Sequence, residues 1–178
     1  PCLAQPAFGR TMPRIPRAAP WFLAAALVVV ADRLTKWAAL AWLRPGEPLE
    51  VTGFFNLVLV FTRGAAFSFL ANQTGWQTPF FVAVALLASG IVSWMLWRDP
   101  SRRLLCSGLA LILGGALGNL WDRLAYGHVV DFLDFHAMGW HWPAFNVADS
   151  AISVGAAILI AESFLQRETP RGRGADAD

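Results

Sequence analysis

Charged residues are scarce in this chain. Asp, Glu, Lys and Arg together make up 15% of its 178 residues, and 56% of the residues are hydrophobic. Soluble domains are usually about a quarter charged. The low charge content argues against an ordinary soluble domain. The length leaves room for one compact integral membrane protein without a second large domain.

Cysteines are also few, and the basic residues form no long run. Cys2 lies near the start of the chain and Cys106 lies within an apolar segment, so neither a disulfide framework nor a cysteine metal cluster is expected. The basic residues lack the aromatic interleaving and the sustained basic face of nucleic-acid-binding proteins. We therefore expect no nucleic-acid partner.

Four apolar segments are each close to the ~20 residues that a membrane-spanning helix needs. They lie at about 18–43, 79–97, 104–122 and 146–166, and the second carries no charged residue. The predicted fold is an all-α integral membrane protein with four transmembrane helices, forming a single domain over residues 18–166. Residues 1–17 and 167–178 are expected to be disordered tails, and residues 1–11 are given no role in the fold.

Arginines mark one side of the predicted membrane domain. They precede the first segment, separate the second from the third and follow the last: Arg10, Arg14, Arg17, Arg98, Arg102, Arg103, Arg167, Arg171 and Arg173. Basic residues in short flanks favour the cytoplasmic side. Both termini are therefore predicted to be cytoplasmic, and loops 44–78 and 122–145 to face outward.

The first outward loop and the third apolar segment carry further patterns. Residues 51–61 are rich in Val, Leu and Phe, which predicts short strands at the outer surface. Gly114 and Gly118 are four residues apart, a spacing that favours close helix packing in membranes.

Two acidic residues are predicted to meet at the outer membrane face. Asp131 follows the third segment, and Asp149 lies in the first turn of the fourth, after Asn146 as a candidate N-cap. Two carboxylates that approach closely in a poorly solvated site share a proton. One can then accept a proton from water while the other donates a proton to a peptide group, and no metal is needed. The helix N-terminus predicts Asp149 to be the more acidic member.

Simpler roles are open for several of the acidic residues. Asp149 can be an ordinary residue of a helix N-terminus. Asp122, next to Arg123, favours a structural ion pair. Asp134 is interpreted as a solvated loop residue.

Further alternatives concern Asp32, a charged residue near the membrane centre, and the three histidines. Asp32 needs a partner, with Lys36 or Arg123 as candidates, and a structural or site-shaping role is favoured. Zinc is an alternative because histidines lie near Asp131, although no tight ligand spacing is present: His128, His136 and His141.

Two other classes of function use the same observations. A small proton-coupled transporter also contains buried carboxylates, but such proteins usually show internal repeats or interrupted helices, and no repeat is evident here. A catalytically inactive membrane scaffold would not need both Asp131 and Asp149. The outer-interface position of the pair favours hydrolysis.

Five blocks of this sequence resemble the bacterial lipoprotein signal peptidases, also called signal peptidase II. The blocks are DRLTK at 32–36, RGAAFSF at 63–69, GGALGNLWDR at 114–123, VVDF at 129–132 and FNVADSA at 145–151. The resemblance covers roughly residues 18–166, with the blocks in the family's order.

The resemblance implies a function and a set of site residues. The expected protein is an aspartic endopeptidase of the bacterial inner membrane that removes signal peptides from diacylglyceryl-modified prolipoproteins by cleaving before the lipidated cysteine. Asp131 and Asp149 would form the catalytic dyad, with neither metal nor cofactor. Substrate-binding or site-supporting residues would be Asp32, Thr62, Gly64, Asn119, Asp122, Arg123, Asn146 and Ala148.

The resemblance also implies an architecture and partners. Loop 44–78 would form a small β-cradle on the outer surface, and the segment between the third and fourth helices would form a periplasmic lid. Globomycin-type inhibitors would occupy the same site, membrane lipids would surround the protein, and we expect a monomer. One position departs from the family, which usually has Asn where this chain has Thr62, so the substrate contact assigned to that Asn is in question here.

Overall fold

The computed structural model describes residues 17–64 and 76–167, which form four helices and one small sheet. The helices are α1 (Ala19–Trp42), α2 (Gln77–Arg98), α3 (Arg103–Tyr126) and α4 (Val147–Arg167). The strands are β1 (Leu49–Thr52), β2 (Phe55–Thr62), β3 (Val129–Ala137) and β4 (Trp140–His141). The tails at 1–16 and 168–178 and the RGAAFSF block from residue 65 onward lie outside the described residues.

The helices lie where the apolar segments predict them, and α3 is longer than expected. It continues one turn beyond Asp122 and ends where Gly127 adopts φ 74°, a left-handed conformation that favours glycine. The helix therefore ends at Gly127.

Within residues 17–64 and 76–167, three helices are long and apolar enough to span a membrane. They are Gln77–Arg98, Arg103–Tyr126 and Val147–Leu165, with mean hydropathy values of 2.1, 1.7 and 1.5. α1 is not among them because three charged residues interrupt its 24 residues: Asp32, Arg33 and Lys36. The prediction of a multi-pass helical membrane protein is thus confirmed for three of its four predicted spans.

Helix α3 is the centre of the bundle, and its glycines allow the other helices to approach it. A Cβ atom on Gly114 would lie 2.6 Å from the Ala25 carbonyl oxygen of α1, and one on Gly118 would lie 2.8 Å from Asp32. On the α4 side, a Cβ atom on Gly115 would lie 2.3 Å from the Ala148 carbonyl oxygen. The predicted small-residue face is confirmed, and it positions both neighbouring helices.

The strands form one antiparallel sheet in the order β1-β2-β3-β4. β2 pairs with β3, with Thr62 opposite Val129 and Asn56 opposite Asp134, and an irregularity interrupts the pairing between Leu57 and Val60. The strands predicted for the first outward loop are confirmed. The sheet is larger than a cradle formed from loop 44–78 alone.

The segment between α3 and α4, predicted to form a periplasmic lid, contains β3 and β4. Its strands pair with β2 and within a short hairpin. Asp131 and Asp134 of β3 line the cleft, so the segment forms part of the cleft wall. Its role as a lid stays a prediction.

Replacing Gly115 with Ala is expected to destabilise the bundle by about 1–3 kcal/mol, because the added methyl group collides with the α4 backbone. Thermal unfolding in detergent measures the loss. The matched control is Gly90→Ala on the exposed face of α2, where no atom lies within 4 Å of the added methyl group. That variant should be unchanged or slightly stabilised. Equal destabilisation of both variants would contradict the packing described for Gly115.

Candidate active site

The two carboxylates predicted to act together, Asp131 and Asp149, line the same cleft, which has a volume of about 940 Å³. Asp131 lies on β3 and is 4% exposed, while Asp149 lies in the first turn of α4 and is partly buried. Backbone hydrogen bonds of 2.9 and 3.0 Å join Leu133 of β3 to Phe145. These bonds bring the start of α4 alongside β3 and thereby bring the two acids together.

Asn146 joins the two acids and is fully buried. Its Nδ2 donates to Asp131 Oδ1 at 2.7 Å, and its backbone N–H donates to Asp149 Oδ2 at 3.3 Å. Its Oδ1 accepts the backbone N–H of Asp149 at 2.9 Å, which confirms the predicted N-cap. Asn146 therefore starts α4 and holds both carboxylates, that of Asp131 through its side chain and that of Asp149 through its backbone N–H.

Two further side chains donate to the carboxylates. Asn119 Nδ2 donates to Asp149 Oδ1 at 2.7 Å, and Asn119 Oδ1 accepts from Lys36 Nζ at 3.0 Å. Thr62 Oγ1 donates to Asp131 Oδ2 at 2.5 Å. The residue that departs from the family pattern thus contacts one of the two acids directly. Its hydroxyl supplies a donor, which an Asn amide would also supply.

Burial changes the acid strength of Asp131. Removal from water penalises the charged carboxylate and, together with the negative charge of Asp149, raises the pKa of Asp131 to about 6. Hydrogen bonds from Thr62 and Asn146, together with the positive charge of Lys36, act in the opposite direction. Asp131 therefore exchanges its proton in the range where an acid/base catalyst is effective.

A buried cluster of charges lies directly beneath the two acids. Lys36 Nζ lies 2.9 Å from Asp32 Oδ2 and 2.7 Å from Asp122 Oδ2, and Arg33 also pairs with Asp122. The side chains of Asp32, Lys36 and Asp122 are at most 1% exposed. The predicted Asp32–Lys36 pair is confirmed.

The cluster also accepts hydrogen bonds from the backbone of both segments that carry the acids. Asp32 Oδ1 accepts the N–H of Ala148 in the first turn of α4 at 3.0 Å. Asp122 Oδ2 accepts the N–H of Val130, next to Asp131 on β3, at 3.2 Å. Asp32 and Asp122 therefore hold in place the two segments that carry Asp131 and Asp149.

The predicted ion pair between Asp122 and Arg123 is wrong. Consecutive helical residues point about 100° apart, so Asp122 faces α1 while Arg123 faces the cleft. Arg123 instead donates to the carbonyl oxygens of Asn119 at 3.3 Å and Gly64 at 3.5 Å, and lies 5.1 Å from the centre of the Phe81 ring. This arrangement leaves a guanidinium on the cleft wall near both acids.

Asp134 is not the solvated loop residue that the sequence indicates. It lies on β3, is 6% exposed and lines the cleft with Asn56 and His141. The sequence offers one signal for this position, since Asp134 follows Asp131 within one β-branched and aromatic run. Across residues 17–64 and 76–167, no group of three or more His, Cys, Asp or Glu side chains is placed to hold a metal ion.

Known proteins resemble this chain over most of its length. A model of the family described as signal peptidase (SPase) II matches residues 24–165. The lipoprotein signal peptidase of Paraburkholderia phytofirmans is 56% identical over 142 residues, which cover 80% of this chain and 83% of that protein. That of Ralstonia nicotianae is 55% identical over 141 residues, 79% of this chain and 82% of that protein.

Solved structures resemble the fold as well. One, described as a bacterial membrane enzyme structure by the in meso method at 2.3 Å resolution, has a TM-score of 0.78 and 27% sequence identity, and covers 88% of this chain and 94% of its own. A second, described in the same words at 1.9 Å resolution, has a TM-score of 0.74 and 27% identity over 85% of this chain and 95% of its own.

Replacing Lys36 with Met is expected to lower the free energy of unfolding by about 3–5 kcal/mol, because two fully buried carboxylates lose their shared cation. Thermal unfolding in detergent tests this expectation. Arg98→Met serves as the control, since it removes a cation from an exposed side chain that lies over Trp94. Arg98→Met should lower the free energy of unfolding by less than about 1 kcal/mol. A similar loss in both variants would refute the proposed dependence on Lys36.

Proposed function

The chain belongs to the signal peptidase II family and is a peptidase of lipoprotein maturation, and we propose that Asp131 and Asp149 are its catalytic pair. The observation that carries this proposal is the single cleft in which Asn146 contacts both carboxylates. We further propose that the substrate is a prolipoprotein already modified with diacylglycerol, cleaved just before the lipidated cysteine.

The first step uses one proton shared by the pair. The ionised carboxylate accepts a proton from a water molecule as the water oxygen bonds to the scissile carbonyl carbon. The other carboxyl group donates its proton to the carbonyl oxygen. The product is an uncharged tetrahedral diol, so no negative charge accumulates in a poorly solvated cleft.

The second step returns the pair to its starting state. The carboxyl group that received the water proton donates it to the leaving nitrogen as the carbon–nitrogen bond breaks. One hydroxyl of the diol returns its proton to the other carboxylate and becomes the new carbonyl. The signal peptide leaves with a carboxyl terminus, and the lipidated cysteine gains a free amino group.

The surrounding residues have positioning roles in this scheme. Asn119, Asn146 and Thr62 orient the carboxylates by donating to their oxygens. Arg123, whose guanidinium also contacts the Gly64 carbonyl, faces the cleft and is placed to bind a carbonyl oxygen of the substrate. We propose that globomycin-type inhibitors occupy this cleft and that one chain forms a complete site.

We propose that α1 is a fourth membrane span. Its charged residues Asp32 and Lys36 face inward and are buried, while apolar residues such as Leu23, Leu27 and Trp37 are exposed on its outer surface. A spanning helix tolerates charges that are paired within the bundle. With the arginine-rich 98–103 loop on the cytoplasmic side, both termini lie there and the cleft faces the periplasm of a bacterial inner membrane.

Replacing either Asp131 or Asp149 with Asn is expected to reduce kcat by at least about 10²–10⁴-fold, because the amide keeps the shape but cannot carry the shared proton. Cleavage of a diacylglyceryl-modified prolipoprotein in detergent measures the effect. Asp99→Asn, on the loop at the other end of the bundle, is the control and should retain wild-type turnover. Robust turnover by a folded Asp131 or Asp149 variant would remove that residue from the mechanism.

The pH dependence of kcat/KM should have an alkaline limb near the pKa of Asp131, about 6. With Asp149 ionised, loss of the Asp131 proton leaves the pair without its shared proton, so activity falls as pH rises through this value. Thr62→Val removes a hydrogen bond that favours ionised Asp131, so the limb should move to higher pH.

Thr62→Ser is the matched control for this pH measurement, because it keeps the hydroxyl and should leave the limb in place. An unchanged limb in Thr62→Val, or equal shifts in both variants, would show that the Thr62 hydroxyl does not influence the proton of Asp131.

A further inference from the structure

A second polar network lies on the cleft wall, separate from the catalytic pair. Buried Asp134 accepts Asn56 Nδ2 at 3.1 Å, and its two oxygens lie 3.0 and 2.9 Å from His141 Nδ1. Asn56 Oδ1 lies 3.3 Å from His136 Nε2, and the two imidazole rings stack at 5.0 Å. Asn56, Asp134 and His141 all line the cleft, and the mechanism above uses none of them.

The hydrogen bonds define what His141 presents to the cleft. A carboxylate only accepts hydrogen bonds, so His141 Nδ1 carries the proton that faces Asp134. In a neutral imidazole with this tautomer, the other ring nitrogen, Nε2, is an acceptor. The side chain is 56% exposed, and Nε2 makes no hydrogen bond within residues 17–64 and 76–167. Asp134 thus holds an oriented acceptor at the cleft surface.

The network lies further along the sheet than the catalytic pair. On β2, Thr62 contacts Asp131, whereas Asn56 precedes Thr62 by six residues, roughly 20 Å of extended strand. Asn56 and Thr62, at the two ends of this stretch, both line the cleft. It is therefore long enough to hold several extended residues of a polypeptide beyond the bond to be cleaved.

The fold indicates which half of the substrate reaches this end of the cleft. The catalytic pair lies close to where α3 ends and α4 begins, and the chain passes from α3 into the sheet through β3. An apolar signal peptide remains beside the helices, because its exposure to water is unfavourable. The polypeptide that follows the cleaved bond therefore passes over the sheet.

We propose that Asp134 and His141 form a binding site for the mature side of the prolipoprotein, with His141 Nε2 accepting a hydrogen bond from a backbone N–H or a side-chain hydroxyl after the lipidated cysteine. This proposal rests on the proposed function. It assigns a substrate-binding role to His141 and a positioning role to Asp134. A network that only stabilises the β3–β4 hairpin would not need an exposed imidazole on the cleft.

The test compares two diacylglyceryl-modified substrates with the same signal peptide. One carries about ten residues after the cysteine, enough extended chain to pass the network, and the other ends directly after it. His141→Ala should raise KM about tenfold for the long substrate, the effect of losing one good hydrogen bond, with kcat unchanged. The short substrate should be cleaved with wild-type constants.

Four further variants separate recognition from folding. His141→Gln, which keeps an amide near the Nε2 position, should recover part of the affinity for the long substrate. Asp134→Asn should raise KM for the long substrate, and combining it with His141→Ala should add little, because both changes remove one oriented acceptor. His128→Ala is the control, since His128 lies against Phe61 and Tyr126 outside the cleft lining.

The outcomes distinguish this proposal from the proposed function. Equal losses on both substrates would assign the network to folding, and no loss on either would remove His141 from substrate binding. Either result overturns the proposal while leaving the catalytic pair intact. Cleavage of both substrates by Asp149→Asn would overturn the proposed function itself.

Discussion

The buried contacts of Lys36 are the interaction on which the site depends. One ammonium group lies within 3.0 Å of Asp32, Asp122 and Asn119, three oxygen-bearing side chains from two helices. Asp32 in turn holds the first turn of α4, and Asp122 holds the start of β3. The two segments that carry Asp131 and Asp149 are therefore tied to one cation. A displacement of the Lys36 ammonium group would move the two acids relative to each other.

The same cluster supports the chemistry proposed for the pair. Two carboxylates in a cleft bounded by membrane helices would ordinarily be driven to the neutral state by the loss of water. The cluster beneath them, Arg33, Lys36, Asp32 and Asp122, adds little net charge, but its Lys36 lies nearest the pair, and Arg123 provides further positive charge nearby. Donors from Asn119, Asn146 and Thr62 stabilise an ionised oxygen directly. The pair can then hold one proton between them.

Much of this arrangement could be predicted from the sequence. The helices followed from apolar length, and the N-cap at Asn146 followed from its position before Asp149. The partners of Asp122 could not be predicted. Neighbouring residues of a helix point in different directions, and the residues that Asp122 faces belong to α1. The burial of Asp134 could not be predicted for a related reason. A polar residue between two turns is typical of a loop, and its burial follows only from the pairing of β3 with β2.

The junction between helices and sheet has a consequence for how the cleavage point is chosen. α3 and α4 meet through close glycine contacts, and Asp149 follows Ala148 at one end of them. Such close packing fixes the height of the proposed catalytic pair along the bundle. A substrate anchored by lipid beside the scissile bond has its own fixed height. Cleavage then requires that the scissile bond and the proposed catalytic pair lie at the same height. Contacts along the sheet need only hold the departing chain in place.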